Sequence, residues 1–294
     1  TFSTWTTPSE HAILGWNMFS KEVWWTIQIL PWKHKILWTP LWDYIKIDQL
    51  ATERNFYNES NKEVYIVTNQ SYKDSNYNKF YNKDALVLGY RDLPDFFSQI
   101  ENSVYASKEK KYIYAYWWDF DSLSHNHGID SSELKRHFEQ IDYWFELLSK
   151  KIEWTNTKIV VTADHGQLDI PKEKKIDVSK EFPGLVDMLS MPLSWEPRCQ
   201  YCFVRTKENE NFRKYVEEKM PHLCSIYSIE EIIEKRIFGF WRNKKFLERV
   251  GDYILVAKDN YALFHTFSND WMYSDLGFHG WVTDWETLVP LIII

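Results

Sequence analysis

Strand-like and helix-like stretches take turns along this chain, and no other feature narrows its fold as much. Residues 63–68 (EVYIVT) form a short apolar run rich in β-branched side chains and read as a strand. Asp92-Leu93-Pro94 opens a helix that runs to residue 101, with Phe96, Phe97 and Ile100 apolar. Residues 111–116 make the next strand. Residues 131–150 make a long amphipathic helix, capped by Asp130 or Ser131, with Leu134, Phe138, Ile141, Phe145 and Leu148 as its stripe. Residues 158–162 are a further strand. A βαβα rhythm of this kind predicts an α/β fold, a mainly parallel central sheet with helices on both faces. Ligands of such sheets bind at the carboxyl ends of the strands.

The pattern changes between residues 171 and 249. Lys172-Glu173-Lys174-Lys175 and residues 207–213 are charged surface segments, and residues 228–236 and 243–250 look helical. This stretch is expected to be an inserted lid or small α+β subdomain, leaving residues 1–170 and 250–294 as the core. Residues 46–55 can be helical, with Ile47, Leu50 and Ala51 on one face. The Asn-rich region 55–82 is expected to loop around the strand at 63–68. Residues 252–257 and 261–265 are late strands.

Length and charge exclude some classes of function. The 294 residues suffice for one large domain or a core with an insertion. No apolar run reaches the ~18 residues that a membrane-spanning helix needs. A formal net charge of −7 argues against a broad nucleic-acid-binding surface. It does not argue against a nucleotide substrate, because bound metal ions reverse the local field. Cys199-Gln200-Tyr201-Cys202 has the spacing of half a zinc site, but no second CxxC follows. Cys199, Cys202 and Cys224 are therefore expected to be buried structural thiols, and so few cysteines lean toward a reducing compartment such as the cytoplasm.

Three polar clusters interrupt the apolar pattern. Asp121 and His125 follow the strand at 111–116 and are four apart, so on a helical turn both face one way. Asp164 and His165 follow the strand at 158–161 and precede Gly166. His279 lies in Phe278-His279-Gly280, after the late strands. Carboxylate oxygens and imidazole nitrogens are the ligands that suit a divalent ion such as zinc.

In this order the three clusters resemble those of the alkaline phosphatase superfamily, and most closely its type I phosphodiesterase/nucleotide pyrophosphatase branch. Residues 7–15 (TPSEHAILG) are similar to that family's TPxEHGIxG segment, and residues 284–290 (DWETLVP) to its closing xxEMLVP segment. The resemblance spans nearly the whole chain and is weakest between about residues 168 and 250. It implies hydrolysis of phosphodiester or nucleotide pyrophosphate bonds in a small-molecule substrate. It further implies two divalent ions about 4 Å apart, zinc or else manganese, and a covalent intermediate on Thr or Ser. Asp121, His125 and His279 would hold one ion; Asp164 and His165 would hold the other. In the family a further Asp and the nucleophile lie upstream of the TGxxP segment with which this chain opens. Thr1, Ser3, Thr4 and Thr6 sit too late in that motif, and no nucleophile is assigned among them. Asn17 resembles the family Asn that hydrogen-bonds a phosphoryl oxygen, although a turn or capping role suits it equally. Asp119 and His127 are read as supporting residues and His11 as structural. Alternatives within the superfamily are a phosphonate hydrolase, a phosphomonoesterase or a sulfatase. A non-catalytic binding protein on the same scaffold is the alternative outside it.

Tryptophan and glycine are out of balance. The chain has 16 Trp and 9 Gly, where an average glycine usage of ~7% predicts roughly 21. The family segments have Gly at the positions of Trp5 and Trp281. Trp24, Trp25, Trp32, Trp38, Trp42, Trp118, Trp154, Trp195 and Trp241 lie beside the polar or Pro residues that border turns. These positions are expected to be ones where the backbone calls for glycine, whereas Trp16, Trp117, Trp144 and Trp271 are expected to be genuine aromatics. A natural Trp-rich carbohydrate-binding surface would cluster its indoles, and these are scattered.

Overall fold

The computed structural model describes residues 3–41, 44–51, 56–59, 61–240, 243–266, 274–280 and 282–294. Thr1, Trp42, Trp241, Trp271 and Trp281 lie outside the described residues. The chain forms two compact units: one of Thr6–Thr52 with His165–Leu288, the other of Phe2–Trp5, Glu53–Asp164 and Val289–Ile294. No described helix is long and apolar enough to cross a membrane.

The Glu53–Asp164 unit carries the parallel sheet. Strands Leu86–Tyr90, Glu63–Asn69 and Lys111–Ala115 lie side by side in that order, all parallel, with Val67 opposite both Leu88 and Ala115. Alternation along the central strand divides its side chains between two cores. Val67 packs with Tyr90, Leu93, Phe96, Phe97, Leu148 and Ile152, whereas Val64 and Ile66 pack with Tyr57. Helices Leu93–Tyr105 and Ser132–Ile152 cover the first of these faces. Each begins as the sequence predicts. The Asp92 side chain accepts from the Asp95 amide, and the Ser131 side chain from the Leu134 amide. The strand expected at 158–162 is shorter, Val160–Thr162, and pairs antiparallel with Leu291–Ile293 at the chain's other end.

The other unit is richer in antiparallel strands. Ser194–Glu196, Cys199–Cys202, Tyr253–Ala257 and Cys224–Ser228 form a four-stranded sheet in that order. The strands Asn17–Ser20, Trp25–Gln28 and Lys33–His34 form a three-stranded meander. The stretch 171–249 lies within this unit together with residues from both ends of the chain. Its expected helices appear as Ile229–Glu234 and Lys244–Val250, and a further helix, Asn209–Lys219, spans part of the charged segment 207–213.

The three thiols are buried. Cys199 packs with Tyr201 and Val256, and Cys202 with Leu255 and Phe212 in a different cluster. Residues three apart in a strand point to opposite faces. The CxxC spacing therefore separates the two sulfurs, and burial raises both thiols well above their ordinary pKa.

Backbone conformation bears on the tryptophan excess. Among the described residues, Trp5, Trp24, Trp32, Trp38 and Trp195 have φ of 51°, 54°, 54°, 56° and 83°. In this left-handed region a residue with a Cβ is strained by ~1–2 kcal/mol, whereas glycine is not. Trp25, Trp118 and Trp154 keep negative φ, as do Trp16, Trp117 and Trp144. Trp117 and Trp144 pack against the core of the parallel-sheet unit, as genuine aromatics would.

Candidate functional site

In the parallel-sheet unit, the segment after strand Lys111–Ala115 folds into the helix Asp119–His127. Asp119 and Asp121 lie in its first turn and His125 and His127 in its last, which suits the helix dipole at both ends. Gly128, at φ 87°, ends the helix with its amide donating to the Ser124 carbonyl. The four-residue spacing puts Asp121 and His125 on one face, with His125 Nε2 3.3 Å from Asp121 Oδ1. Both are half-buried. Asp119 lies one position inside the helix start, where burial raises its carboxyl above its usual range and the charge on His137 partly opposes this.

Asp164 follows strand Val160–Thr162. The Tyr116 hydroxyl donates to Asp164 Oδ2 at 3.2 Å. Burial, then the charges of Asp164 and Asp121, hold the Tyr116 phenol far above its ordinary pKa of 10.0. It therefore remains a hydrogen-bond donor at any ordinary pH. Sequence reading missed this residue as a functional one. The available signal was its place at the carboxyl end of a parallel strand, where Tyr112, Tyr114 and Tyr116 alternate on one face.

In the other unit, His165 and His279 come together. Their rings stack with centroids 3.5 Å apart and an interplanar angle of 15°. Each offers a ligand atom within 4.8 Å of the other's. His279 directly follows strand Gly277–Phe278, which pairs with Leu168–Asp169 just beyond His165. This short antiparallel pair is what brings the two loops side by side. His165 Nδ1 lies 3.0 Å from the Gly166 carbonyl. A carbonyl only accepts, so Nδ1 carries the proton and the ring's basic lone pair is on Nε2. Fixing a tautomer in this way is how proteins prepare an imidazole to bind a metal.

Asn17 is fully buried in strand Asn17–Ser20. Its amide nitrogen donates to the Trp195 carbonyl at 3.3 Å, and its oxygen accepts from the Gln28 amide at 3.5 Å. His11 is also buried, with Nδ1 accepting from the Ile13 amide at 3.1 Å.

The family model for type I phosphodiesterase / nucleotide pyrophosphatase matches residues 1–282. Ectonucleotide pyrophosphatase/phosphodiesterase family member 5 of Homo sapiens is 23% identical over 189 residues, which are 60% of this chain and 35% of that protein. The match thus spans about a third of that relative's length. An inactive variant of murine ectonucleotide pyrophosphatase / phosphodiesterase 5, solved in complex with AMP, superposes with a TM-score of 0.70 at 17% identity, covering 98% of this chain and 73% of that one. Phosphonoacetate hydrolase from Sinorhizobium meliloti, solved with phosphonoformate, gives a TM-score of 0.64 at 14% identity, with 97% and 75% covered. The shared fold is that of the alkaline phosphatase superfamily, as the order of the three polar clusters implied. By its match over residues 1–282, the chain belongs to the type I phosphodiesterase/nucleotide pyrophosphatase family.

Proposed function

We propose that this protein hydrolyses phosphodiester or nucleotide pyrophosphate bonds with the help of two divalent ions, zinc by preference. Asp121, His125, Asp164, His165 and His279 would hold the ions. The observation that carries this reading is the imidazole pair. His165 and His279 are far apart in sequence, yet their rings stack at 3.5 Å. Two half-buried imidazoles add little to a core, and a pair of neighbouring cations, one held by each ring, gives the pairing a purpose. Family membership supports the same reading.

The donor set fits a hard-to-borderline cation, since it consists of carboxylate oxygens and imidazole nitrogens without thiolates. When bound, such ions lower the pKa of an attacking oxygen and offset the charge that builds up on the phosphoryl oxygens. The chain's own residues prepare that chemistry. Tyr116 holds one oxygen of Asp164 and so orients the other. The Gly166 carbonyl fixes the tautomer of His165. The i,i+4 spacing keeps Asp121 and His125 on one face of their helix. AMP in the murine neighbour makes a nucleotide the first substrate to test. The phosphonoacetate hydrolase neighbour favours one second reading, a phosphonate substrate.

Chelation tests the reading. Turnover of a chromogenic phosphodiester should vanish after prolonged dialysis against a chelator and return with zinc or manganese. Undiminished turnover in excess chelator would refute it. Paired assays with a model diester, a model monoester and phosphonoacetate separate the two substrate classes.

A further inference from the structure

We propose that Arg198 and Glu286 form a positioning device for His165 and His279. The inference rests on the metal-binding role proposed above. Both side chains are fully buried. The guanidinium meets the carboxylate edge-on, Nε to Oε1 at 3.2 Å and Nη2 to Oε2 at 3.0 Å. Nη1 donates to the carbonyls of Asp259 and Tyr261 at 2.8 and 2.7 Å, and the Thr283 hydroxyl donates to Oε2 at 2.6 Å. A buried ion pair is poor as a source of stability, because desolvation cancels much of the attraction. Its value here is geometric, since the Glu286 main chain bonds the residue after His165 and Arg198 lies beside the residue after His279.

On one side, the main-chain carbonyl of Glu286 accepts the Gly166 amide at 2.8 Å, immediately after His165. A Cβ on Gly166 would collide with the Trp285 carbonyl, so the two strands of chain meet backbone to backbone. On the other side, Gly280 follows His279 at φ 143°. A Cβ there would sit 2.8 Å from Glu196 Cβ and 3.4 Å from Arg198 Cβ. The loop after His165 is thus tied to the Glu286 main chain, and the loop after His279 passes close to Glu196 and Arg198, with no room for a side chain between. The ion pair is the rigid link between the two loops.

The test replaces the pair by apolar residues of similar shape, R198M with E286L, alongside the single change E286Q. Each variant's fold is checked by circular dichroism and thermal melting without metal. The readouts are zinc affinity, by competition with a chromophoric chelator, and the ring nitrogen shifts of His165 and His279. Folded variants should bind zinc about 10–100-fold more weakly, the range seen when groups that orient metal ligands are removed. The fixed His165 tautomer should be lost, and kcat should fall with KM unchanged. Wild-type affinity and shifts in a folded variant would overturn the proposal. Failure of both variants to fold would overturn it too, since the pair would then serve the fold itself. If the wild-type protein binds no zinc, the proposed function fails first.

A separate observation supports a second inference: we infer that the native polypeptide carries glycine where the sequence reads Trp5, Trp24, Trp32, Trp38 and Trp195. All five have left-handed backbone, and they make up five of the eight non-glycine residues that do so among those described. Trp32 is buried, with Nε1 donating to the Ile45 carbonyl at 3.3 Å, and Trp195 stacks on Tyr201, but the other three indoles are mostly exposed. Trp5, Trp24 and Trp38 are 69%, 67% and 51% exposed, so no burial offsets the strain. Trp24 closes the loop between strands Asn17–Ser20 and Trp25–Gln28, at the hairpin position that favours glycine. The indole of Trp195 presses on the space beside Gly15. Glycine deficit, tryptophan excess and backbone sign agree if one codon behind these positions is read as glycine in the source organism.

Peptide mass spectrometry of the protein from that organism decides the matter. Peptides covering the five positions should be lighter by an indolylmethyl-for-hydrogen exchange at each, whereas Trp117 and Trp144 should keep their indoles. In the gene, the five positions should share one codon that differs from the codon at Trp117 and Trp144. Indole masses at all five, or one codon throughout, would overturn the inference.

Discussion

His11 is the residue whose burial has the most direct consequence in solution. Burial lowers its pKa from 6.5 to about 3, and the ring stays neutral in the folded protein. The unfolded chain therefore takes up this proton first as pH falls. The stability that neutral His11 contributes is complete above about pH 6.5 and drains away as pH falls from 6.5 toward about 3. Melting temperatures measured across that window without metal should fall, and His11→Gln should flatten the slope. A slope unaffected by His11→Gln would mean that another group controls acid stability. The residue's structural role was legible from sequence, but its burial was not. A histidine beside Glu10 in a short polar segment carries no sign of depth.

At the scale of elements, the helix Asp119–His127 sets the register of the proposed ligands. Asp121 and His125 share one face, whereas Asp119 precedes that register by two positions. Asp121→Ala should lower turnover by several orders of magnitude and weaken zinc binding, whereas Asp119→Ala should cost far less, at most about 10–100-fold. The reverse order would place the metal face elsewhere on the helix. Long periodic elements were readable in advance. The stripe on Ser132–Ile152 and the strand Glu63–Asn69 appear within a residue or two of their expected bounds. Short ones were not. Leu86–Tyr90 is a run of five residues interrupted by Gly89, too short for its period to show. The meander formed by Asn17–Ser20, Trp25–Gln28 and Lys33–His34 was hidden because its turn positions read Trp24 and Trp32, removing the glycines by which hairpins announce themselves.

For the molecule as a whole, the α/β class and the three polar clusters were readable from residues alone, and the resemblance to the family came from those clusters together with residues 7–15 and 284–290. Those signals are local: side-chain alternation, helical spacing and short motifs survive without any knowledge of distant contacts. How the motifs meet depends on contacts between distant segments. The tertiary structure showed that the CxxC cysteines face apart, because a strand turns alternate residues to opposite sides. It paired Val160–Thr162 with the last strand of the chain, a contact between segments that no local pattern relates. It stacked His165 on His279 and buried Arg198 against Glu286. The sequence singles out His165 and His279 in their separate clusters without pairing them, and nothing local relates Arg198 to Glu286. Their meaning comes from packing that closes long loops, and the cost of that closure depends on chain length rather than on any pattern in the residues between.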